Sequence, residues 1–183
     1  MGQNYKMGTW NTRGLRGSTL EELINMTNDK YREQNMALVQ KIPTPIKPVE
    51  IDQRTRHITK AFFEQKSTVD YIGVVQGVPI CFDAKECNTD TFPIQNIHKH
   101  QVEFMKQFEE QGGVSFLIIY YTNRNEIFYL PFYLIEKFFV RSEHGGRKSF
   151  RFEEIDLAYQ INTDKGVPVH YLEPLAFDLQ NRD

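Results

Sequence analysis

Asp70, Asp83 and Lys85 have the types and the spacing to hold a divalent cation beside an ammonium group. They lie in the stretch 67–85, which reads as two β-strand runs joined at Gln76-Gly77, a dipeptide suited to a two-residue hairpin turn. If Val75 pairs with Val78, counting outward sets Asp70 opposite Asp83, Thr68 opposite Lys85 and Val69 opposite Ala84. Side chains two apart on a strand share a face. Thr68, Asp70, Asp83 and Lys85 then form one polar cluster, while Val69, Tyr71, Phe82 and Ala84 point the other way. Carboxylates opposed at roughly 4.5–5.5 Å between Cβ atoms repel, and a cation between them removes the repulsion. Hard oxygen ligands of this kind suit Mg²⁺, and Mn²⁺ as well. Asp83-Ala84-Lys85 alone is a short pattern that also describes an ordinary surface ion pair of negligible worth. The cross-strand register is what sets it apart. A bulge at Gly73 or Pro79 would slip that register and send the two acids to opposite faces.

The elements around the hairpin follow from periodicity and punctuation. Residues 1–17 carry Lys6, Arg13 and Arg16 without periodicity and read as a flexible basic arm; Arg16 is a candidate phosphate contact there. Ser18-Thr19-Leu20-Glu21 has capping-box spacing, and Leu20, Leu23, Ile24, Thr27 and Tyr31 share one helical face, so the pattern predicts a helix over about 19–33. Glu21 is a further candidate for the site, or simply a cap. A short strand over 36–42 leads to Pro43, Pro45 and Pro48, which forbid helix and disfavour a central strand. The segment 43–66 therefore reads as an excursion from the core. It carries Lys47, Arg54, Arg56, His57, Lys60 and Lys66 against Glu50, Asp52 and Glu64, a local excess suited to phosphate backbones. Phe62 and Phe63 are expected to anchor its return.

After the hairpin, 86–92 reads as a polar connection and 93–111 as a helix stopped by Gly112-Gly113. Ile97, Gln101, Phe104 and Phe108 fall on its apolar stripe, and an amide on such a stripe needs partners, which places Gln101 near the carboxylates as a ligand or an orienting group. The run 114–121 is apolar throughout, as in a strand buried on both faces, with a returning strand over 126–130 and an aromatic packing helix over 132–140. Arg147, Lys148 and Arg151, in a glycine-hinged loop, form a second phosphate-binding candidate, with a solvated turn as the alternative. The remainder reads as irregular or short-strand closure.

With 183 residues, 40% hydrophobic and 25% charged, the chain has the composition of an ordinary globular domain. The reading is one domain over 18–183, preceded by the arm. No run approaches membrane-spanning length and the start is not a signal peptide, so the expectation is a cytoplasmic protein with no membrane partner. Cys81 and Cys87 are taken as reduced and structural. The formal charge of −2 gives no general affinity for nucleic acid, so any such surface must come from the local clusters.

Several separated motifs, Arg16-Gly17-Ser18-Thr19-Leu20-Glu21, Pro43-Thr44-Pro45, Ser67-Thr68-Val69-Asp70-Tyr71, Phe82-Asp83-Ala84-Lys85-Glu86, Phe92-Pro93-Ile94-Gln95-Asn96, His100-Gln101 and Gly146-Arg147-Lys148-Ser149, resemble those of the RecU Holliday junction resolvases. The resemblance implies an α/β fold: a restriction-endonuclease-like core with a central mixed β-sheet flanked by helices, and a protruding stalk from about 43–66. It implies a structure-selective endodeoxyribonuclease that nicks four-way junction DNA symmetrically as a Mg²⁺-dependent homodimer, cytoplasmic and nucleoid-associated. A RecA-type recombinase or a branch-migration helicase is a candidate further partner. By position, Thr68, Asp70, Asp83 and Gln101 take the metal places and Lys85 that of the transition-state stabiliser, with Asp70 and Asp83 catalytic. Lys47, Arg54, Arg56, Lys60, Arg147 and Lys148 are the expected DNA contacts. One departure is Asp83, where the family usually has Glu; another is the short arm, as in a phage-encoded member. The alternatives are a nuclease of the same fold acting on other DNA structures and a non-catalytic DNA- or recombinase-binding module.

Overall fold

The computed structural model describes residues 19–43, 45–63, 68–163 and 166–182. The basic arm with Arg16, the Ser18 cap and Lys66 lie outside the described residues. Helix α1 (Leu20–Glu33) is capped by Thr19, whose hydroxyl accepts the Glu22 N–H at 3.3 Å while the Glu22 carboxylate accepts the Thr19 N–H at 3.0 Å. The capping box is thus one residue later than expected, because Thr19 and Glu22 meet the same spacing as Ser18 and Glu21. Leu20, Leu23, Ile24, Thr27 and Tyr31 form its buried face, as the periodicity predicts, with Asn28 joining them.

β1 (Ala37–Lys41) forms one edge of a six-stranded sheet of order β1-β4-β5-β7-β8-β10. The other strands are β4 (Tyr71–Val75), β5 (Val78–Cys87), β7 (Val114–Tyr121), β8 (Glu126–Pro131) and β10 (Gln160–Ile161). Only β5 and β7 pair in parallel, so the central sheet is mixed. Gly73 is needed for the β1–β4 contact, since a Cβ there would stand 2.3 Å from the Leu38 carbonyl oxygen.

Between β1 and β4 the chain leaves the body as a ribbon of β2 (Ile46–Ile51) and β3 (Ile58–Phe63), every residue of which is exposed. The ladder shifts register around Pro48 and Glu50, as a proline-bearing strand outside the main sheet can tolerate. Phe62 and Phe63 do not anchor the ribbon: they are 60% and 79% exposed, because no second layer covers the ribbon among the described residues.

Helices cover both sheet faces. On one face Tyr71, Phe82, Phe116 and Tyr129 stack across four strands, with ring centroids 4.7, 4.7 and 4.3 Å apart. α1 lies on this face, where the Tyr71 hydroxyl donates to the Glu21 carbonyl and to Asn25 Oδ1. So does α4 (Leu172–Gln180), whose Asp178 accepts the buried Tyr129 hydroxyl at 2.7 Å. α4 corrects the expectation of irregular closure. It is short and carries Pro174, which only the first turn of a helix accepts readily.

The opposite face carries α2 (Lys99–Glu110) and α3 (Phe132–Glu143). α2 begins six residues later than expected. Thr91–Pro93 instead forms β6, paired with β9 (Ser149–Arg151), and Ile94–Asn96 makes a 3₁₀ turn tied down by the Ile94 N–H donating to the Lys148 carbonyl. β5 also runs on to Cys87, further than the polar connection allowed. The buried side of α2 is Gln101, Val102 and Met105, with Phe104 and Phe108 half-buried beside it. Both cysteines are buried and free.

Candidate active site

The hairpin turn at Gln76 and Gly77 has positive φ at both positions, 48° and 88°, the conformation that matches strand twist in a two-residue turn. The ladder from Val75↔Val78 to Tyr71↔Phe82 runs without a bulge. Asp70 follows directly outside the last pair. Its Oδ2 accepts the Ala84 N–H at 3.0 Å and its carbonyl accepts the Ile42 N–H at 2.8 Å, which fixes its backbone and side chain beside Asp83. Because the aromatic row holds Tyr71 and Phe82 against α1, strand alternation turns Asp83 and Lys85 toward α2.

Asp83 is completely buried, and among the described residues its Oδ1 has no hydrogen-bond donor. The Lys85 ammonium stands 2.5 Å from Oδ2 and is itself 20% exposed at its side chain. Burial, helped by the adjacent Asp70 and opposed by Lys85, raises the Asp83 carboxyl to about 7. A buried acid left this way by its own protein is a site that a cation would complete. Oxygen donors from two carboxylates suit Mg²⁺ or Mn²⁺. Among the described residues no group of three or more His, Cys, Asp and Glu side chains could hold a metal, so any further oxygens must come from amides, hydroxyls, water or substrate.

Gln101 approaches from α2. The Cys81 thiol lies 3.3 Å from the Ser115 hydroxyl, which donates to the Met105 carbonyl, so Met105 stands over Cys81. α2 links the parallel strands β5 and β7 and runs back along them. One helical turn from Met105 to Gln101 covers about 6 Å. Two strand residues from Cys81 to Asp83 cover about 7 Å in the same direction. Gln101 is therefore level with Asp83, although its Oε1 accepts the His98 N–H at 3.1 Å. Thr68, half-buried, enters the hairpin two residues before Asp70. Glu21 does not join them. It pairs with Lys41 and lies on the Tyr71 face.

Lys47, Arg54, Arg56 and Lys60 all stand on the exposed ribbon. Its tip is shaped by Asp52, whose Oδ1 accepts the Arg54 and Thr55 N–H groups, bonds that hold its carboxyl below the usual range. Arg147 lies 3.7 Å from Glu154, and Lys148 is exposed beside it. The sequence reading missed Glu86, whose Oε1 accepts the Leu20 N–H at 2.8 Å and fastens the start of α1 to the strand that bears Asp83 and Lys85. Alternation could have flagged it, since it must face α1.

A profile of the family described as Recombination protein U matches residues 15–177. The chain belongs to the RecU family. A "Holliday junction resolvase RecU" of Bacillus cytotoxicus is 44% identical over 149 residues, covering 79% of this chain and 74% of that one. Another, from a Geobacillus species, is 42% identical over 162 residues, covering 82% and 81%. A solved Holliday junction resolvase, Hjc of Archaeoglobus fulgidus, aligns with a TM-score of 0.37 and 9% identity over 61% of this chain and 78% of that one. That likeness is too slight to bear on the fold. Among the described residues no helix is long and apolar enough to cross a membrane.

Proposed function

We propose that this RecU-family chain is an endodeoxyribonuclease that resolves four-way DNA junctions by nicking two strands symmetrically as a Mg²⁺-dependent homodimer. The observation that carries the reading is Asp83, a buried carboxylate with the Lys85 ammonium at Oδ2, Asp70 beside it and no donor at Oδ1 among the described residues. Thr68, Asp70, Asp83 and Gln101 would hold the cation. When bound, it would neutralise charge at the scissile phosphate and make water more acidic. The chain's own groups do the rest. Asp70 is held in place by the Ala84 N–H, so its free oxygen keeps a fixed bearing. Lys85, on the same strand face and reaching solvent, neutralises the charge that develops on the phosphoryl oxygens. Its ammonium is kept beside the acids by Asp83 until DNA arrives. Gln101, braced by its helix N-terminus, orients the carboxylate pair from above. The ribbon's Lys47, Arg54, Arg56 and Lys60 contact phosphates at the junction centre, and Arg147 with Lys148 contact an arm. In this reading the protein acts in the cytoplasm at the nucleoid, where a RecA-type recombinase or a branch-migration helicase could supply the junctions.

The test is cleavage of a labelled synthetic four-way junction with and without Mg²⁺, beside flap and linear duplexes. Asp83→Ala and Lys85→Ala should each lower junction cutting by at least about 10²-fold, the usual loss on removing one electrostatic stabiliser, while junction binding persists. Retained cutting in either variant removes the site assignment. Equal cutting of all three substrates replaces the junction reading by a general nuclease of this family.

A further inference from the structure

A cleft of about 480 Å³, lined by Asp90, Thr91, Arg147, Arg151, Glu153 and Glu154, lies beyond the carboxyl end of β5. Topology puts it on the side of the sheet that bears Asp83. β8 ends beside Phe116 near the start of β7, so α3 runs back toward the carboxyl ends of β5 and β7 on the face it shares with α2. The loop after α3 is then pinned where α2 begins, through the Ile94 N–H and the Lys148 carbonyl at 3.0 Å.

The loop is shaped before any ligand arrives. Gly145 has φ of 80°, and a Cβ at Gly146 would stand 2.7 Å from the Arg141 carbonyl oxygen. Glu154 ties the pieces together: Oε1 accepts from Arg141 at 2.6 Å, Oε2 accepts the Arg151 N–H at 2.7 Å, and Arg147 stands 3.7 Å away. Arg141 also donates to the Ser149 carbonyl at 2.7 Å. Asp90 is taken up by Arg124, in two bonds of 2.7 Å. Two of the three carboxylates lining the cleft are thus already compensated, while Arg147 and Arg151 remain at its rim with forked donors. Planar guanidinium groups of this kind match a phosphate edge better than a single ammonium does.

We infer that this cleft is a second phosphate subsite, binding a DNA phosphodiester on the arm that leads away from the cleaved bond, with Arg147 and Arg151 as its ligands and Glu154 as their positioning residue. It rests on the junction-nuclease reading. Preorganised donors outside the carboxylate site fix where along the strand the cut falls without taking part in it.

The experiment uses the full chain and a synthetic four-way junction. Kd is measured over a series of salt concentrations, with cleavage kinetics in Mg²⁺ and a melting curve for each variant. Arg147→Ala with Arg151→Ala should weaken binding about tenfold. The slope of log affinity against log salt should fall by about 0.9 for each phosphate that the variant no longer neutralises. The loss should appear in KM rather than kcat. Glu154→Ala should reproduce the KM effect, and Glu154→Gln, which keeps an acceptor for the Arg151 N–H, should restore part of it. An unchanged Kd and salt slope, or a fall in kcat at constant KM, overturns the subsite. If the double variant melts well below wild type, Arg147→Gln alone, on an exposed side chain, carries the same comparison. A wild type that binds junctions but never cuts them would instead overturn the nuclease reading, leaving the salt-slope comparison to decide the subsite.

Discussion

At Asp83, burial and function pull in opposite directions. The carboxyl belongs to a sealed core position between Phe82 and Ala84, yet among the described residues its Oδ1 has no donor, and the Lys85 ammonium stands beside Oδ2. Its folded-state value of about 7 lies above that of an unfolded aspartate, so between these limits the folded chain binds more protons. The contribution of Asp83 to the stability of the metal-free protein should therefore be most favourable below about pH 4 and decline as pH rises toward 7. Asp83→Asn removes the titration. In EDTA at pH 8 the variant should be more stable than wild type by about 1–3 kcal/mol, the typical penalty of an unsatisfied buried group, and the advantage should vanish near pH 4. Thermal melts across that range, in EDTA and in Mg²⁺, give the answer. Parallel pH profiles for the two proteins would show that Asp83 carries no such penalty. Mg²⁺ should raise the melting temperature of wild type alone, since ligand binding to the folded state stabilises it by mass action.

At the scale of elements, the hairpin was legible because its signals are local: Gln76-Gly77 fixes the turn, and alternation from Val75 and Val78 carries the two acids to one face. The ribbon was legible from three prolines. Its exposed Phe62 and Phe63 were not, because aromatic residues read as core until the tertiary structure leaves them without a layer to cover them. The start of α2 was misread for a related reason. The Thr91–Pro93 strand exists only by pairing with Ser149–Arg151, a partner more than fifty residues away. Gln101 was legible as an oddity on its stripe, but not its bond to the His98 N–H. Two measurements probe elements directly. Gly73→Ala should destabilise the fold by about 1–3 kcal/mol, because the new methyl meets the Leu38 carbonyl in a backbone contact that cannot easily move, and chemical denaturation reads this out. Neutralising Lys47, Arg54 and Arg56 together should weaken junction affinity and flatten its salt dependence by about 0.9 per phosphate left without a basic partner, with little change in stability, since every residue of the ribbon's two strands is exposed. Unchanged affinity would remove the ribbon from the DNA interface.

At the scale of the whole molecule, one chain carries one pair of site carboxylates, whereas symmetric resolution needs two cuts on strands of like polarity. A closed two-fold dimer would supply the second site by repeating the first, with each surface patch meeting its own copy. The exposed ribbon fits that arrangement. It extends for about 20 Å from the body, on the estimate of about 3.3 Å per strand residue, and so can reach a junction centre lying between two sites. The prediction is separable from catalysis. Equilibrium sedimentation should give twice the chain mass at concentrations where junctions are bound, for wild type and for Asp83→Ala alike, because Asp83 is buried and cannot belong to a surface between copies. Mixed dimers of wild-type and Asp83→Ala chains, isolated through different tags, should nick a junction once and leave the opposing strand whole, so that denaturing gels show one labelled strand cut while native gels retain the four-way species. Two cuts from a mixed dimer would mean that one site serves both strands by turning over, and the symmetry argument would fail while the assignment of Asp70, Asp83 and Lys85 stood.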